Sequence, residues 1–487
     1  MPTNFTSAAD LIRFLPEIIL TIAGTLLMVL DPVLHRRSST AFGHLSIFAL
    51  VAALGGSVYA FTTQQGPAFG GMLMVDGFAT FFRVLVIGVG ILTILPSYRF
   101  LETQDAETSE YHALLLFSIA GQCLMAASND LIMVFIGLEV SSISSYVLAG
   151  YLRDDKRANE SALKYFLLGS FATAFFLYGV ALIYGATGTL NLSAVRSAVA
   201  GQNAPDPIII AVAAALMFVG LGFKVSAAPF QLWAPDVYQG APTPITGFFS
   251  AGPKAAAFAV FLRIFMTAFD PVTNNWWPLV WGSALLSMTI GNFAALLQSN
   301  IKRMLAYSSI AHAGYVLVAL TAHSDIGTAA AMFYLAAYAF MNLGAFAVVS
   351  HLSGKGERYQ NVDDFAGLAQ KQPLTAAMLT IFMLSLIGVP LTGGFFGKFY
   401  IFKAALEAHL VWLTVLGLLN SAVAAYYYLR ILVMMYMYEP SEAASKAEPL
   451  TPGLGVALIL PAFATMFLGI FPNWVLDFAV KSSNLVK

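Results

Sequence analysis

Charged residues and cysteines are scarce in this sequence. Only 10% of the 487 residues are charged, whereas a typical soluble protein has about 25%. There are 24 lysines and arginines against 25 aspartates and glutamates, and the resulting net charge of −1 argues against nucleic-acid binding, which favours a basic surface. The single cysteine, Cys123, excludes an internal disulfide, an iron–sulfur cluster and a thiolate metal site within this chain.

Motifs for nucleotide and redox chemistry are absent as well. The sequence has no Walker A motif, no GxGxxG in a βαβ context, no histidine pair at haem-ligand spacing and no cysteine cluster. We therefore expect no cofactor in this chain, and we expect an ion gradient or partner subunits to drive its function. The N-terminus lacks a basic region ahead of its first apolar run, which predicts a membrane helix and not a cleaved signal peptide.

Long apolar runs occur throughout the sequence. Hydrophobic residues make up 59% of the chain, the mean hydropathy is +0.77, and runs of about 20 residues, enough to cross ~30 Å of hydrocarbon, recur throughout. This predicts an all-α polytopic membrane protein that forms one membrane domain over residues 1–487. The fourteen predicted helices cover residues 11–30, 42–62, 74–95, 112–127, 131–151, 163–186, 208–237, 245–268, 276–297, 304–321, 326–351, 374–402, 410–436 and 456–480.

Basic residues are distributed unevenly between the predicted loops. Because cytoplasmic loops collect Lys and Arg, the basic loops predict the cytoplasmic side and place both termini on the outer side. The loops after odd-numbered helices contain Arg36, Arg37, Arg99, Arg153, Lys156, Arg157, Lys302, Arg303, Lys355, Arg358, Lys371, Arg430 and Lys446. The other loops and the tail contain only Arg196, Lys403, Lys481 and Lys487.

A few ionisable residues fall inside the apolar segments. A charge at the bilayer centre costs about 2.5–3.5 kcal/mol or more, so such residues usually face a wet interior and belong to an ion path. Glu139 lies nine residues after Asp130, about 14 Å along a helix and so near mid-bilayer. A structural ion pair could explain Glu139 with one lysine, but one carboxylate cannot neutralise Lys224, Lys254 and Lys398 together. Desolvated lysines can exchange protons near neutral pH, and we therefore predict a proton relay.

Two further candidates extend this relay. His312 lies ten residues after Lys302, and the hydroxyl side chains around it can bind a chain of water molecules; alone it would more often be a structural histidine. These hydroxyl residues are Tyr307, Ser308, Ser309 and Tyr315. Lys164, near the start of its helix, is either a proton-entry group on the cytoplasmic side or an ordinary positive-inside anchor.

Two arginines are assigned structural roles. Arg83 lies seven residues after Asp76 on the same helix face, which predicts packing or an ion pair, since arginine holds its proton too tightly to relay it. Arg263 is predicted to extend its side chain to the outer interface.

Two lysine-bearing helices are interrupted by proline. Pro229 follows Lys224, and Pro390 precedes Lys398. Interrupted helices at corresponding positions in two halves are typical of inverted repeats with a site at the membrane midplane, although such residues also simply kink helices. The predicted units are helices one to three (11–95), a first repeat of helices four to eight (112–268), a second repeat of helices nine to thirteen (276–436) and helix fourteen (456–480).

These segments resemble one family over almost the whole chain. The stretches that carry the resemblance are LKYFLLGSFATAFFLYG (163–179), GFKVSAAPFQLWAPDVYQGAPTPITGFFS (222–250), NIKRMLAYSSIAHAGY (300–315) and GVPLTGGFFGKFYIF (388–402). They resemble the antiporter-like subunits of respiratory complex I, the proton-pumping NADH:quinone oxidoreductase, and their relatives in multisubunit cation/proton antiporters. The N type is most similar, because the M type is expected to have glutamate where this chain has Lys398, and the L type has a long C-terminal extension.

The resemblance implies a fold and a set of roles. The fold is a fourteen-helix core with two inverted five-helix repeats and broken helices seven and twelve. Glu139 and Lys224 would form a coupling ion pair, Lys254 would be the central relay, and Lys398 would exchange protons with the outer aqueous side.

The resemblance also implies partners. In a bacterial inner membrane the chain would contact the M-type subunit, small membrane subunits and the lateral helix of the L-type subunit. NADH, quinone, flavin and iron–sulfur clusters would be handled by other subunits. An exchanger of Na⁺ or K⁺ for protons without redox partners stays open, since the same charges would serve it, as does a purely structural spacer.

Overall fold

Apolar helices make up nearly all of the structure, as expected where lipid leaves backbone N–H and C=O groups to be satisfied within each helix. The computed structural model describes residues 7–34, 39–106, 108–202 and 204–483; Arg36, Arg37 and Lys487 lie outside them. The helices are α1 (Ala8–Arg13), α2 (Leu15–Leu34), α3 (Ser39–Thr63), α4 (Gly77–Thr103), α5 (Ser109–Ala127), α6 (Leu131–Ala149), α7 (Lys156–Thr187), α8 (Leu192–Ala200), α9 (Pro207–Val225), α10 (Trp233–Gly240), α11 (Thr243–Arg263), α12 (Thr273–Leu296), α13 (Ile301–Thr321), α14 (Asp325–Leu352), α15 (Leu368–Lys371), α16 (Pro373–Ile387), α17 (Gly393–Glu407), α18 (Val411–Met437), α19 (Glu442–Lys446), α20 (Pro452–Ile470) and α21 (Asn473–Ser483).

The remaining regular structure is short. Strands β1 (Gly66–Ala68) and β2 (Leu73–Val75) form one antiparallel hairpin, with Pro67 opposite Met74. A π-helix at Ile264–Ala268 continues α11. Short 3₁₀ helices lie at Phe69–Gly71, Asp270–Val272, Lys355–Glu357 and Val362–Phe365.

Eleven helices within the described residues are long and apolar enough to cross a membrane. They are α3, α4, α6, α7, α9, α11, α12, α13, α14, α18 and α20. The class of the fold, an all-helical polytopic membrane protein, is therefore confirmed. The other three predicted segments correspond to α2, α5 and the pair α16 and α17, so the count of fourteen stays a prediction.

Two of the predicted segments are interrupted as the prolines suggested. Segment 208–237 is divided into α9 and α10 around Pro229, and segment 374–402 into α16 and α17 around Pro390. The single helix predicted over 456–480 is wrong, because α20 ends at Ile470 and α21 starts at Asn473. Pro472 lies between them and has no backbone N–H with which to continue the ladder.

Two backbone bridges of identical pattern occur in the structure, one in each half of the chain. Each bridge joins two loops of its own half. Each bridge consists of two N–H···O=C hydrogen bonds, and every residue of the second follows its counterpart by 170 positions, as from 131 to 301 and from 192 to 362. The first bridge joins Leu131 N to Leu190 O (3.0 Å) and Leu192 N to Asn129 O (3.0 Å). The second joins Ile301 N to Gln360 O (2.7 Å) and Val362 N to Ser299 O (2.8 Å).

The same offset relates two close helix contacts. A Cβ on Gly121 of α5 would lie 2.5 Å from the backbone N of Ser141 in α6, and one on Gly291 of α12 would lie 2.6 Å from the backbone N of Ala311 in α13. Both glycines therefore allow two helix backbones to approach closely.

Both arginines assigned structural roles form buried ion pairs. Arg83 pairs with Glu17 of α2 at 2.7 Å, and not with Asp76 of its own helix. The prediction that Arg263 extends to the interface is wrong, since it donates two hydrogen bonds of 3.0 and 2.9 Å to Asp76, the N-cap of α4. A carboxylate from a distant part of the chain pairs with the charge of each arginine inside the protein.

Candidate functional site

Lys224 lies in the last turn of α9, immediately before the interruption at Pro229. Its side chain is buried, and Nζ donates hydrogen bonds to Ser142 Oγ (2.8 Å) and Tyr165 OH (3.3 Å). The ammonium also lies 5.8 Å from the ring centroid of Tyr146 and 5.3 Å from that of Tyr165, a cation–π arrangement. The lysine is therefore solvated by hydroxyls and aromatic rings.

The direct Glu139–Lys224 ion pair implied by the resemblance is not formed in this structure. Glu139 Oε1 is buried without a hydrogen-bond partner, and among the described residues Glu139 has no cation within salt-bridge distance. Ser142, three residues further along the same face of α6, is the direct partner of Lys224. The carboxylate therefore acts on Lys224 only through space.

Lys254 is near the middle of α11, whose residues are all buried. Its Nζ donates a hydrogen bond to Ser309 O (3.0 Å) and contacts the Ser309 hydroxyl. Other polar groups lie close by, because Asn342 Nδ2 donates to Ser250 Oγ at 2.6 Å and to Tyr338 OH at 3.0 Å. Helices α11, α13 and α14 thus surround this lysine with neutral polar groups.

His312 forms hydrogen bonds through both ring nitrogens. Nδ1 bonds the hydroxyl of Tyr334, and Nε2 bonds that of Tyr428 at 3.1 Å. Tyr428 also contacts the hydroxyl of Ser308, the neighbour of the serine that binds Lys254. The histidine therefore lies within the hydroxyl cluster that begins at Lys254.

A path of polar side chains continues from this cluster to Lys398. The Tyr428 hydroxyl contacts that of Tyr427, whose own hydroxyl donates to Asn292 Oδ1 at 3.0 Å. Asn292 Nδ2 donates to Tyr315 OH at 3.3 Å. Tyr315 in turn contacts Ser421, which accepts a hydrogen bond of 2.8 Å from Lys398 Nζ.

The members of this polar path on α12 and α18 were not predicted from the sequence, because they carry no charge that stands out in an apolar segment. Asn292, Ser421, Tyr427 and Tyr428 are neutral. A signal was available, since Ser421 and Tyr428 are seven residues apart and therefore lie on one face of α18.

Lys398 follows the interruption of its helix, in the second turn of α17. Besides Ser421, its Nζ donates to the carbonyls of Leu386 (3.0 Å) and Ile387 (2.9 Å), the last residues of α16. These carbonyls have no partner within their own helix and form the negative end of its dipole. The ring of Tyr315 lies 4.9 Å from Nζ. The helix break therefore supplies the acceptors that a buried lysine needs.

A groove connects Lys398 with the surface. It has a volume of about 460 Å³ and runs between α17 and α18, with Lys398 and Ser421 at its base and Lys403 and Glu407 further along α17. Glu407 is the last residue of α17.

Lys164 borders a small polar cavity at the start of α7. Its Nζ lies 2.7 Å from Glu160 and 2.7 Å from Asp236 of α10, and Asp236 also pairs with Arg303 of α13 at 2.6 Å. The cavity has a volume of about 270 Å³ and is also lined by Gln239. Because one water occupies about 30 Å³ of liquid, the cavity can hold several molecules next to Lys164.

A buried ion pair near this cavity was not foreseen. Lys302 was placed in a loop, which is wrong, because it is the second residue of α13 and its side chain is fully buried. Its Nζ lies 3.3 Å from Glu357 and donates to Ala241 O at 2.6 Å. Glu357 also accepts a hydrogen bond of 3.0 Å from the backbone N–H of Thr243, the first residue of α11.

The three central lysines share one chemical property. Within the described parts of the chain, none of them forms a salt bridge, and each is bound by hydroxyls or carbonyls. Such groups accept a hydrogen bond from an ammonium without fixing its charge, so the lysine can give up its proton and regain it. Lys254 and Lys398 are linked through polar side chains, whereas no hydrogen-bond chain among the described side chains joins Lys224 directly to Lys254.

Comparison with known proteins gives consistent matches over the whole chain. A family model described as NADH:quinone oxidoreductase/Mrp antiporter, transmembrane, matches residues 128–424, more than half of the chain. NADH-quinone oxidoreductase subunit N 1 of Solibacter usitatus is 78% identical over 478 residues, 98% of each chain.

Solved structures match as well. A chain in respiratory complex I from Thermus thermophilus with bound aureothin has a TM-score of 0.82 at 35% identity, covering 96% of this chain and 99% of that one. A chain of the Mrp complex from Dietzia sp. also has a TM-score of 0.82, at 22% identity, over 99% of this chain and 98% of that one, which is a likeness of fold alone.

Proposed function

Because the chain belongs to the family of subunit N of NADH-quinone oxidoreductase, we propose that it is a proton-translocating membrane subunit of a bacterial complex I. It contributes no redox chemistry of its own. Other subunits bind NADH and quinone and hold the flavin and iron–sulfur clusters. The M-type subunit, small membrane subunits and the lateral helix of the L-type subunit are its neighbours in the inner membrane.

One observation carries this proposal. Polar side chains from α13, α18, α12 and α17 lie between the two buried lysines Lys254 and Lys398. Lys254 begins the chain at Ser309, and Lys398 ends it at Ser421. Hydroxyls pass a proton along when each accepts one proton and releases another, and the Asn292 amide, which does not relay protons in this way, holds the Tyr427 and Tyr315 hydroxyls in place. Moving one charge against 100 mV costs ~2.3 kcal/mol, and one pKa unit corresponds to about 1.4 kcal/mol, so the lysines must act in sequence.

We propose one proton opening on each side of the membrane. Protons enter from the cytoplasm at the cavity beside Lys164 and leave on the outer side through the groove at Lys398. Quinone reduction in other subunits alters the charge near Glu139 and Lys224, which shifts the proton affinity of Lys254 and then of Lys398. His312 contributes to the hydroxyl chain between the last two.

The architecture that we propose has fourteen membrane helices and two inverted five-helix repeats over residues 112–268 and 276–436, between helices over 11–95 and a last helix within 456–480. The two bridges at a constant offset of 170 residues support it, as do the interruptions at Pro229 and Pro390. Since five is odd, equivalent bridges lie on opposite sides of the membrane. Both chain termini then lie on the outer side.

The test is the substitution Lys254→Met in the assembled complex, reconstituted in vesicles. We expect both NADH-driven proton pumping and coupled quinone reduction to fall, because the central proton acceptor is lost. Lys371→Met is the matched control, since Lys371 is exposed at the end of α15. Unchanged proton-to-electron stoichiometry and rate in Lys254→Met would count against the proposal.

A cation/proton exchanger without redox partners is the alternative of a different class. Full-length similarity to subunit N chains favours the oxidoreductase subunit. Vesicles containing the purified chain alone discriminate, because robust Na⁺- or K⁺-dependent proton flux would favour the exchanger.

A further inference from the structure

Tyr238 lies on α10 between the surroundings of Lys224 and those of Lys254. Its ring makes an edge contact with Trp233, 6.1 Å between centroids, and Trp233 stacks on Tyr165 at 4.5 Å. Tyr165 is the tyrosine that accepts a hydrogen bond from Lys224. On the other side, the Tyr238 hydroxyl faces Ser309, the serine that binds Lys254.

The hydroxyl of Tyr238 is fully buried, and it has no hydrogen-bond partner among the described residues. A buried hydroxyl without a partner costs free energy that a phenylalanine at the same position would avoid. The ring packs in the same way in either case. Stability therefore does not explain the oxygen.

The surroundings place this oxygen between the groups that bind Lys224 and those that bind Lys254. On the Lys224 side, the hydroxyls of Tyr165 and Tyr238 are within range of electrostatic interaction. On the Lys254 side, Tyr338 and Tyr238 are likewise close to each other and to Ser309. The Tyr238 hydroxyl therefore has a hydroxyl-bearing neighbour on each side.

We propose that the Tyr238 hydroxyl is the proton-relay group that joins Lys224 to Lys254, a step that rests on the proposed function. The Lys224 ammonium gives a proton to Tyr165, Tyr165 passes its own proton to Tyr238, and Tyr238 passes one through Ser309 to Lys254. Each hydroxyl accepts one proton and releases one, so Lys224 becomes neutral, Lys254 becomes an ammonium and no other group changes charge.

The position of α10 favours such a role. Asp236, two residues before Tyr238, is held by Lys164 and Arg303, and Lys302 binds the carbonyl of Ala241 at the end of the helix. These contacts hold the middle and the C-terminal end of a helix of only eight residues. A charge change at the cavity beside Lys164 therefore acts directly on the helix that carries Tyr238.

The experiment is Tyr238→Phe in the assembled complex, measured as NADH-driven pumping in vesicles in H₂O and in D₂O. A positioned proton-transfer group typically contributes 10²–10⁴-fold, so we expect pumping to fall at least about tenfold and its D₂O effect to increase. Thermal stability of the complex should be equal or higher, since the variant removes a buried hydroxyl that has no hydrogen-bond partner among the described residues. Tyr111→Phe is the control, because Tyr111 is also buried but its hydroxyl bonds Ser97 at 2.7 Å, away from the relay.

Three results would contradict the role of Tyr238 in proton transfer. Normal pumping in Tyr238→Phe, with pumping lost in Lys254→Met, would overturn this inference and leave the proposed function intact. Normal pumping in both variants would overturn both. A loss of pumping that is matched by a loss of assembled complex, or by an equal loss in Tyr111→Phe, would assign Tyr238 a structural role and overturn the inference.

Discussion

Replacing Glu357 by alanine removes one half of the buried ion pair that joins α10, α11 and α13. Lys302 is left as a buried charge whose one remaining acceptor among the described residues is Ala241 O at 2.6 Å. The N–H of Thr243, which begins α11, loses its acceptor as well. Since α11 carries Lys254, we expect this change to destabilise the N-terminal end of the helix on which that lysine lies.

The expected loss of stability is large. Breaking a buried ion pair by removing one partner costs about 3–5 kcal/mol, and a buried N–H without an acceptor adds about 1–3 kcal/mol. The lower limits together give about 4 kcal/mol, a substantial part of the ~5–15 kcal/mol that holds a domain folded.

The assay is the thermal midpoint at which the chain dissociates from the detergent-solubilised complex. We expect a clearly lower midpoint for Glu357→Ala and a near-normal one for the double variant Glu357→Leu with Lys302→Met, in which no buried charge is left unpaired. Lys355→Ala is the control in the same loop, because its ion pair with Asp105 is 71% and 75% exposed and should contribute little. A single variant as stable as the double variant would refute the reasoning.

Three further outcomes are expected. Tyr427→Phe removes the hydroxyl that bonds Asn292 and should slow pumping in vesicles without reducing the amount of assembled complex; normal pumping would exclude this route. Arg263→Leu leaves Asp76 as a buried unpaired carboxylate and should lower the thermal midpoint by an amount corresponding to about 3–5 kcal/mol, whereas an unchanged midpoint would contradict a buried pair. Lys164→Met should reduce pumping most at high cytoplasmic pH, where protons are scarce, and a pH-independent effect would favour a simple anchor.

The burial of the three central lysines could be predicted because a charge in an apolar run is costly and therefore conspicuous, whereas their role in a proton relay stays a prediction. Glu139, Lys224, Lys254 and Lys398 were recognised in this way, and the prolines located the interruptions next to two of them. The hydropathy pattern alone also gave the fold class, since long apolar helices have few alternatives in lipid.

The partners of these residues could not be predicted, because they come from helices far apart in the chain. Arg263 meets Asp76 across 187 positions, and Lys254 meets Ser309 across 55. The family resemblance implied Glu139 as the partner of Lys224, whereas the packed helices present Ser142 and Tyr165. Lys302 was misplaced because hydropathy locates a helix end only to within a few residues and does not show what packs against it.

The substitution Lys254→Arg tests most directly whether protons pass through Lys254. Arginine retains the positive charge and the ability to donate to Ser309, but it does not release its proton. We expect a complex that assembles normally and oxidises NADH with an artificial acceptor, yet no longer pumps protons through this subunit. Pumping at the normal proton-to-electron ratio with arginine at position 254 would show that the charge has a structural role and that no proton passes through this residue.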